Sequence, residues 1–298
     1  MKRILIIDKK YLCIVMEDII PKIIHKIIIT DDNKTPLFPE LMLKAVYSFK
    51  IMNPNYELRL YNGDDCINYI TTYFSKRELY AFNTLIPYAY KCDLMKYLIL
   101  FNEGGYYSDM KSVCLKSFDD IFPEDIVWFS AIDRDFKDRI SNGFLISTKG
   151  NIVLKETINS IIDNCIHKRV GETSLFPTGG ALLSDNFVKH NTIQKGMYIG
   201  KHKKESDNKF YFFDHNNNIF LKTKYTQENG TEFSSGSWDK FDSIQGNNYN
   251  ILWKNHNVYK HECGFNLWTD RVALFAFIVS VLLFAKSIRR KVLPIMGW

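Results

Sequence analysis

The sequence predicts an α/β domain built on a mostly parallel sheet flanked by helices. Three observations point there. The Ile-dense run "IPKIIHKIIIT" at 20–30 reads as a strand buried on both faces, as parallel strands are. In "FPELMLKAVYSFKIMNP" at 38–54, Leu41, Ala45, Val46 and Phe49 recur at helical spacing before a stop at Asn53 and Pro54. The alternating "YELRLYN" at 56–62 then reads as a second strand, so strand, helix and strand form one right-handed crossover unit.

The remaining elements follow in order. "GDD" at 63–65 reads as a loop. In "YAYKCDLMKYLILFNEGG" at 88–105, Tyr90, Leu94, Tyr97, Leu98 and Phe101 form one helical stripe that ends at Gly104, while Asp93 and Lys96 share the other face. "YYSDMKSVCL" at 106–115 reads as a strand broken near Asp109, "IVWFSAID" at 126–133 as a buried strand, and "NIVLKETINSIIDNCI" at 151–166 as an amphipathic helix. From 167 to 250 the chain is rich in Gly, Asn, Ser and Lys, as loops and small strands are. The run "VALFAFIVSVLLFA" at 272–285 reads as a C-terminal apolar helix.

Composition narrows the function. At 298 residues, 46% hydrophobic and 24% charged, the chain buries a sizeable core and is not disordered. Its formal charge of +6 is scattered among acids, with dense clusters only at "KHKKE" (201–205) and "IRRKV" (288–292). No basic stripe with interleaved aromatics accompanies them, so no nucleic-acid partner is expected. Six cysteines without a C-x-x-C pair read as reduced thiols rather than a zinc site or a disulfide framework.

One stretch carries chemistry. In "NEGGYYSDMKSV" at 102–113, a glycine pair and two aromatics precede Asp109, and Lys111 stands two positions later. Acids at i and i+2 of an extended segment point the same way and can hold one divalent cation against a diphosphate. Here the second acid is replaced by an ammonium, itself a phosphate partner. Taken singly, Asp93 with Lys96 is an ordinary i,i+3 ion pair, and Asp109 with Lys111 an edge-strand pair.

"IPKIIHKI", "NPNYELRLYN", "AYKCDLMKYLILFNEGGYYSDMKS" and "NGFLISTKGN", taken together, resemble the sugar-binding region of the family 32 glycosyltransferases. These are DXD enzymes with a GT-A fold, a Rossmann-like mixed sheet flanked by helices. The resemblance covers about residues 20 to 180. It implies that Asp93 hydrogen-bonds donor sugar hydroxyls and that Lys96, where the family has Arg, supports it or the phosphates. Asp109 would reach ribose, sugar or metal, and Asn142 the donor sugar. Tyr97 and Gly105 belong to the same donor-binding region, the glycines leaving room for the nucleotide. Lys111 replaces the family's direct metal ligand, and Ile28 stands where many relatives have Trp. Late in the chain, Ser237, Trp238 and His256 are candidates for closing the site, with Trp253 and Lys254 beside the last.

The expected activity is hexose transfer from a UDP- or GDP-sugar to an acceptor hydroxyl on a glycan, glycoprotein or glycolipid, with retention of configuration. The alternative is a membrane-tethered binding protein on a decayed transferase. The resemblance implies Mn²⁺ or Mg²⁺ at Asp109; alternatively Lys111 takes over part of the metal's work. The domain is expected over 1–265. The apolar run and basic tail at 266–298 are expected to anchor it to a membrane, with the catalytic domain cytosolic because no secretory signal opens the chain.

Overall fold

The computed structural model describes residues 4–8, 11–15, 20–133, 135–190, 195–205, 207, 209–223 and 247–260. Strands β1 (Ile4–Asp8) and β2 (Tyr11–Val15) form an antiparallel pair. The central sheet has nine strands in the order β4-β3-β5-β8-β7-β9-β10-β11-β6. Here β3 is Ile23–Ile27, β4 Glu57–Tyr61, β5 Gly105–Ser108 and β6 Val113–Cys114. Strand β7 is Trp128–Ile132, β8 Ile140–Ser147, β9 Met197–Lys204, β10 Phe210–Phe213 and β11 Ile219–Lys222.

Strand β3 lies parallel to both β4 and β5, while β5 with β8 and β7 with β8 run antiparallel. The sheet is therefore mixed, as the resemblance implies, and not mostly parallel as the isoleucine run suggests: five of its eight strand pairings are antiparallel. Helix α1 (Glu40–Met52) carries the chain from β3 to β4 on one side, and β5 returns to the other side of β3. That reversal leaves a crevice at the carboxyl ends of β3 and β5, where α/β sheets bind ligands. The sheet curls until β6 pairs with β11 and lies against α1, the Cys114 amide donating to Ser48 Oγ at 2.8 Å.

Two cores flank the sheet. One side holds Leu94, Leu98, Trp128, Leu145, Leu154, Ile161 and Leu183. They come from β7, β8 and helices α4 (Tyr88–Glu103), α6 (Ile152–His167) and α7 (Gly180–His190). The other side is aromatic, with Phe49, Tyr106, Phe118 of the short helix α5 (Phe118–Ile121), Phe122, Phe129, Phe144 and Phe220 packed edge-to-face and stacked.

Three expectations are corrected. "GDD" is not a loop but the first turn of α2 (Gly63–Tyr73). Asn62 Oδ1 accepts the Asp65 amide at 2.9 Å and the Asp65 carboxylate accepts the Asn62 amide at 3.0 Å, a reciprocal cap. Ser75 and Glu78 cap α3 (Lys76–Thr84) in the same way. Residues 109–112 are not extended: the Ser112 amide donates to the Asp109 carbonyl at 3.1 Å, closing a turn between β5 and β6. Within 167–250 the strands β9 to β11 appear, but so does α7, and the short helix α8 (Tyr249–Lys254) follows.

Residues Met1–Lys260 form one compact unit. The expected apolar helix at 272–285 and the basic tail lie outside the described residues. Among the described residues, no helix is long and apolar enough to cross a membrane.

Candidate active site

A cavity of about 270 Å³ opens at the carboxyl ends of β3 and β5, just below the usual range for ligand sites (roughly 300–1,000 Å³). Asp93, Lys96, Asp109, Lys111 and Asn142 all line it. The expected acids, their lysine and the asparagine are thus brought together from α4, the β5–β6 turn and β8.

Lys96 is the hub. Its side chain is only 3% exposed, and its ammonium lies 2.9 Å from Asp93 Oδ1 and 3.4 Å from Asp109 Oδ1. It also donates to the Asn142 carbonyl at 3.2 Å and sits 4.5 Å from the centre of the Tyr107 ring. Burial pushes this ammonium down, but the charges of Asp93 and Asp109 outweigh burial and hold it up at about 12. It is charged at neutral pH, so Lys96 orders the acids from beneath.

The two acids differ. Asp93 is surrounded: its Oδ1 accepts from Asn142 Nδ2 at 2.9 Å and its Oδ2 from Thr178 Oγ1 at 2.9 Å. Burial raises the Asp93 carboxyl above its ordinary range, and Lys96 and Thr178 oppose that. Thr178 and Gly179 precede α7, and a Cβ at Gly179 would stand 3.6 Å from Asp93 Oδ2. Asp109 is open, its side chain 52% exposed. Its Oδ1 accepts from the Tyr107 hydroxyl at 2.9 Å, and a Cβ at Gly143 would stand 3.1 Å from its Oδ2.

Beneath the turn lies a second buried cation. Lys26 of β3 is wholly buried, its ammonium 3.7 Å from the centre of the Phe49 ring, and it donates to the Asp109 carbonyl at 3.0 Å. Burial pushes it down to about 7, with Asp109 opposing.

The other expected site residues are placed as follows. Tyr97 is buried behind the cavity, its hydroxyl accepting from Asn142 Nδ2 at 2.9 Å. Gly105 does not line the cavity. It begins β5 with φ +109°, and a Cβ there would stand 2.8 Å from the Ile23 carbonyl and 3.0 Å from His25 Nε2. The room it leaves is thus filled by β3 rather than a nucleotide. His256 is exposed in the turn after α8, with φ +54°, and is not part of the cavity wall. Trp253 donates to the Val170 carbonyl at 2.8 Å. Ser237 and Trp238 lie outside the described residues. Ile28 lines the cavity beside Met42.

Sequence reasoning missed Tyr107, Thr178, Lys26 and the wall made by Ser174 and Tyr249. Ser174 accepts from the Tyr90 hydroxyl through its carbonyl at 2.6 Å, and its own hydroxyl donates to Asn250 Oδ1 at 2.6 Å. The glycine pair in "FPTGGALLS" at 176–184 was a signal for the close approach of α7 to Asp93. The lysine in an isoleucine strand was another.

The residues here do not by themselves cage a divalent cation. Asp109 is the open carboxylate, its Oδ1 already serving Tyr107 and Lys96, while Asp93 is enclosed. Among the described residues, no group of three His, Cys, Asp or Glu side chains could hold a metal ion.

Comparison with known proteins agrees with the site. Residues 39–128 match the family model described as a glycosyltransferase sugar-binding region containing a DXD motif. Over 280 residues the chain is 25% identical to inositol phosphoceramide mannosyltransferase 2 of Schizosaccharomyces pombe, covering 91% of this chain and 69% of that protein. Among solved structures, PaToxG glycosyltransferase is similar at 20% identity and a TM-score of 0.47, over 57% of this chain and 70% of that one. The family match, the mannosyltransferase relative and the cavity define the class: this chain is a glycosyltransferase. Within that class its similarity is to the DXD-containing sugar-transferring enzymes, by the match over residues 39–128 and by the mannosyltransferase relative.

Proposed function

We propose that the chain transfers a hexose from a nucleotide sugar to an acceptor hydroxyl of a glycan, glycoprotein or glycolipid, with retention of configuration. The observation that carries this is the convergence of Asp93, Asp109 and Asn142 on one buried lysine in the wall of the switch-point cavity. Asp93 and Asn142 face the sugar hydroxyls, Asp109 the ribose or sugar, and Lys111 the diphosphate. The leaving phosphate takes the acceptor proton, so no protein base is invoked. Lys96 fixes both acids and offsets part of their charge from the buried side of the cavity.

Mn²⁺ or Mg²⁺, if bound, would supply charge to the diphosphate at Asp109. The donor set favours a different division of labour, in which Lys111, lining the cavity, supplies part of that charge. Transfer then depends weakly on the ion. The mannosyltransferase relative makes a mannosyl donor the first to try. The purified chain is assayed with UDP-glucose, UDP-galactose, UDP-N-acetylglucosamine and GDP-mannose, with and without excess EDTA. Slow hydrolysis of one donor is expected, retained in EDTA by the wild type and lost in EDTA by Lys111→Asp. No turnover across the panel would leave a binding protein; complete loss in EDTA by the wild type would return the work to a metal.

We also propose that the segment from 266 to 298 anchors the domain to a membrane, with the domain itself cytosolic.

A further inference from the structure

We infer that Lys26 is a positioning residue for transfer: its buried ammonium clamps the backbone of the turn that presents Asp109 and Lys111 to the cavity. This rests on the reading of the cavity as the transfer site. The argument starts from what β3 could have been. On the face shared by Ile24, Lys26 and Ile28, both flanking residues are apolar and buried. An isoleucine at 26 would complete that stripe without burying an ionisable group, which is costly in an apolar setting. What an isoleucine could not do is bond to β5 and the turn that follows it.

Lys26 Nζ donates to the Asp109 carbonyl at 3.0 Å and approaches the Ser108 carbonyl at 3.5 Å. The Asp109 carbonyl is also the acceptor that closes the turn, taking the Ser112 amide at 3.1 Å. The Ser108 hydroxyl also points to this oxygen at 3.4 Å, longer than either, so the turn's amide and the lysine are its two close donors. The ring of Phe49 lies under the ammonium at 3.7 Å and limits its swing. On the turn's other side, Met110 packs against Ile28, Met42 and Val46. The turn is held from below by Lys26 and from the side by Met110, and its two charged side chains face the cavity. Lys26 touches neither sugar nor phosphate in this arrangement and acts through Asp109 and Lys111.

The test uses the full chain. Lys26→Met keeps length and apolarity but removes the donor. Leu154→Ala, in α6 in the opposite core, serves as a destabilised control. Amide exchange over residues 110–114 and donor hydrolysis are measured at a temperature where circular dichroism shows each protein folded. For Lys26→Met, exchange over 110–114 should quicken at least tenfold and kcat/KM should fall at least tenfold. The control should change less than threefold in both, whatever its loss in Tm. Should Lys26→Met fail to fold, Lys26→Gln, shorter and uncharged, is measured in the same way. Unchanged exchange in the lysine variant would overturn the clamp, and faster exchange with unchanged kcat/KM would overturn its role in transfer. A wild type that turns over no donor would overturn the transfer reading itself and with it the catalytic half of this inference, while the exchange comparison would still decide the clamp.

Discussion

Asp93 and Asp109 share one lysine but stand in different surroundings, and their variants should separate accordingly. Asp93 is 14% exposed, with Lys96, Asn142 and Thr178 on its oxygens. Asp93→Asn removes the nearer carboxylate from a buried ammonium, leaving it Asp109 at 3.4 Å and the Asn142 carbonyl at 3.2 Å, and breaking such a pair costs roughly 3 kcal/mol. Asp109 is half exposed, so Asp109→Asn should cost less than about 1 kcal/mol. Both variants should lose donor turnover, while only Asp93→Asn melts several degrees lower. Equal melting temperatures would sink this division. The sequence alone suggested two cleft acids without a core role, because helical spacing places Asp93 and Lys96 on one face without saying what covers it. The cover is Thr178, which follows Asp93 by 85 residues, a separation over which no local pattern operates. Lys111 was legible as a departure from the family's pattern. Its geometry was not, since a turn closed by one backbone bond resembles an extended segment in any hydropathy pattern.

At the scale of elements, the legible ones were those with long apolar patterns, one-sided in α1 and α6 and nearly continuous in α4 and the isoleucine strand β3. Helices α2 and α3 were missed because each is half polar, and their signal lies in the caps Asn62 with Asp65 and Ser75 with Glu78. The junction of α4 and β5 shows how tightly the elements fit. Gly104 and Gly105 turn with φ of +78° and +109°, and His25 fills the space beside them. His25 Nε2 meets the Gly104 carbonyl at 3.0 Å and Nδ1 the Tyr61 hydroxyl at 3.3 Å, so this is a hydrogen-bonded core histidine. Burial lowers it to about 4 from its ordinary 6.5. Between those values the unfolded chain holds a proton that the folded chain refuses. The stabilisation is therefore complete above about pH 6.5 and is lost as pH falls toward 4, by roughly 3 kcal/mol. Urea unfolding at pH 7 and pH 4.5 should show a smaller drop in His25→Gln than in the wild type. Equal drops would mean that His25 is not the group that titrates.

For the whole molecule, the strand order was beyond the sequence, because pairing such as β6 with β11 joins segments about a hundred residues apart. What the sequence does mark is a change of character at the end of the chain. Residues 272–285 are apolar at every position but Ser280, about 21 Å as a helix, against a hydrocarbon core of roughly 30 Å. Length alone would assign such a run to a core. Arg271 on one side and Lys286, Arg289, Arg290 and Lys291 on the other change the balance, since their stems extend the apolar span while their charges reach the headgroups. The unit Met1–Lys260 holds both cores and the cavity. A chain ending at Lys260 should therefore remain folded and keep donor hydrolysis within about threefold of the full chain. After lysis without detergent, the full chain should sediment with membranes and the shortened chain should stay in the supernatant. A full chain that stays in the supernatant without detergent would remove the anchor, whereas a shortened chain that aggregates would assign the apolar run to the folded domain instead.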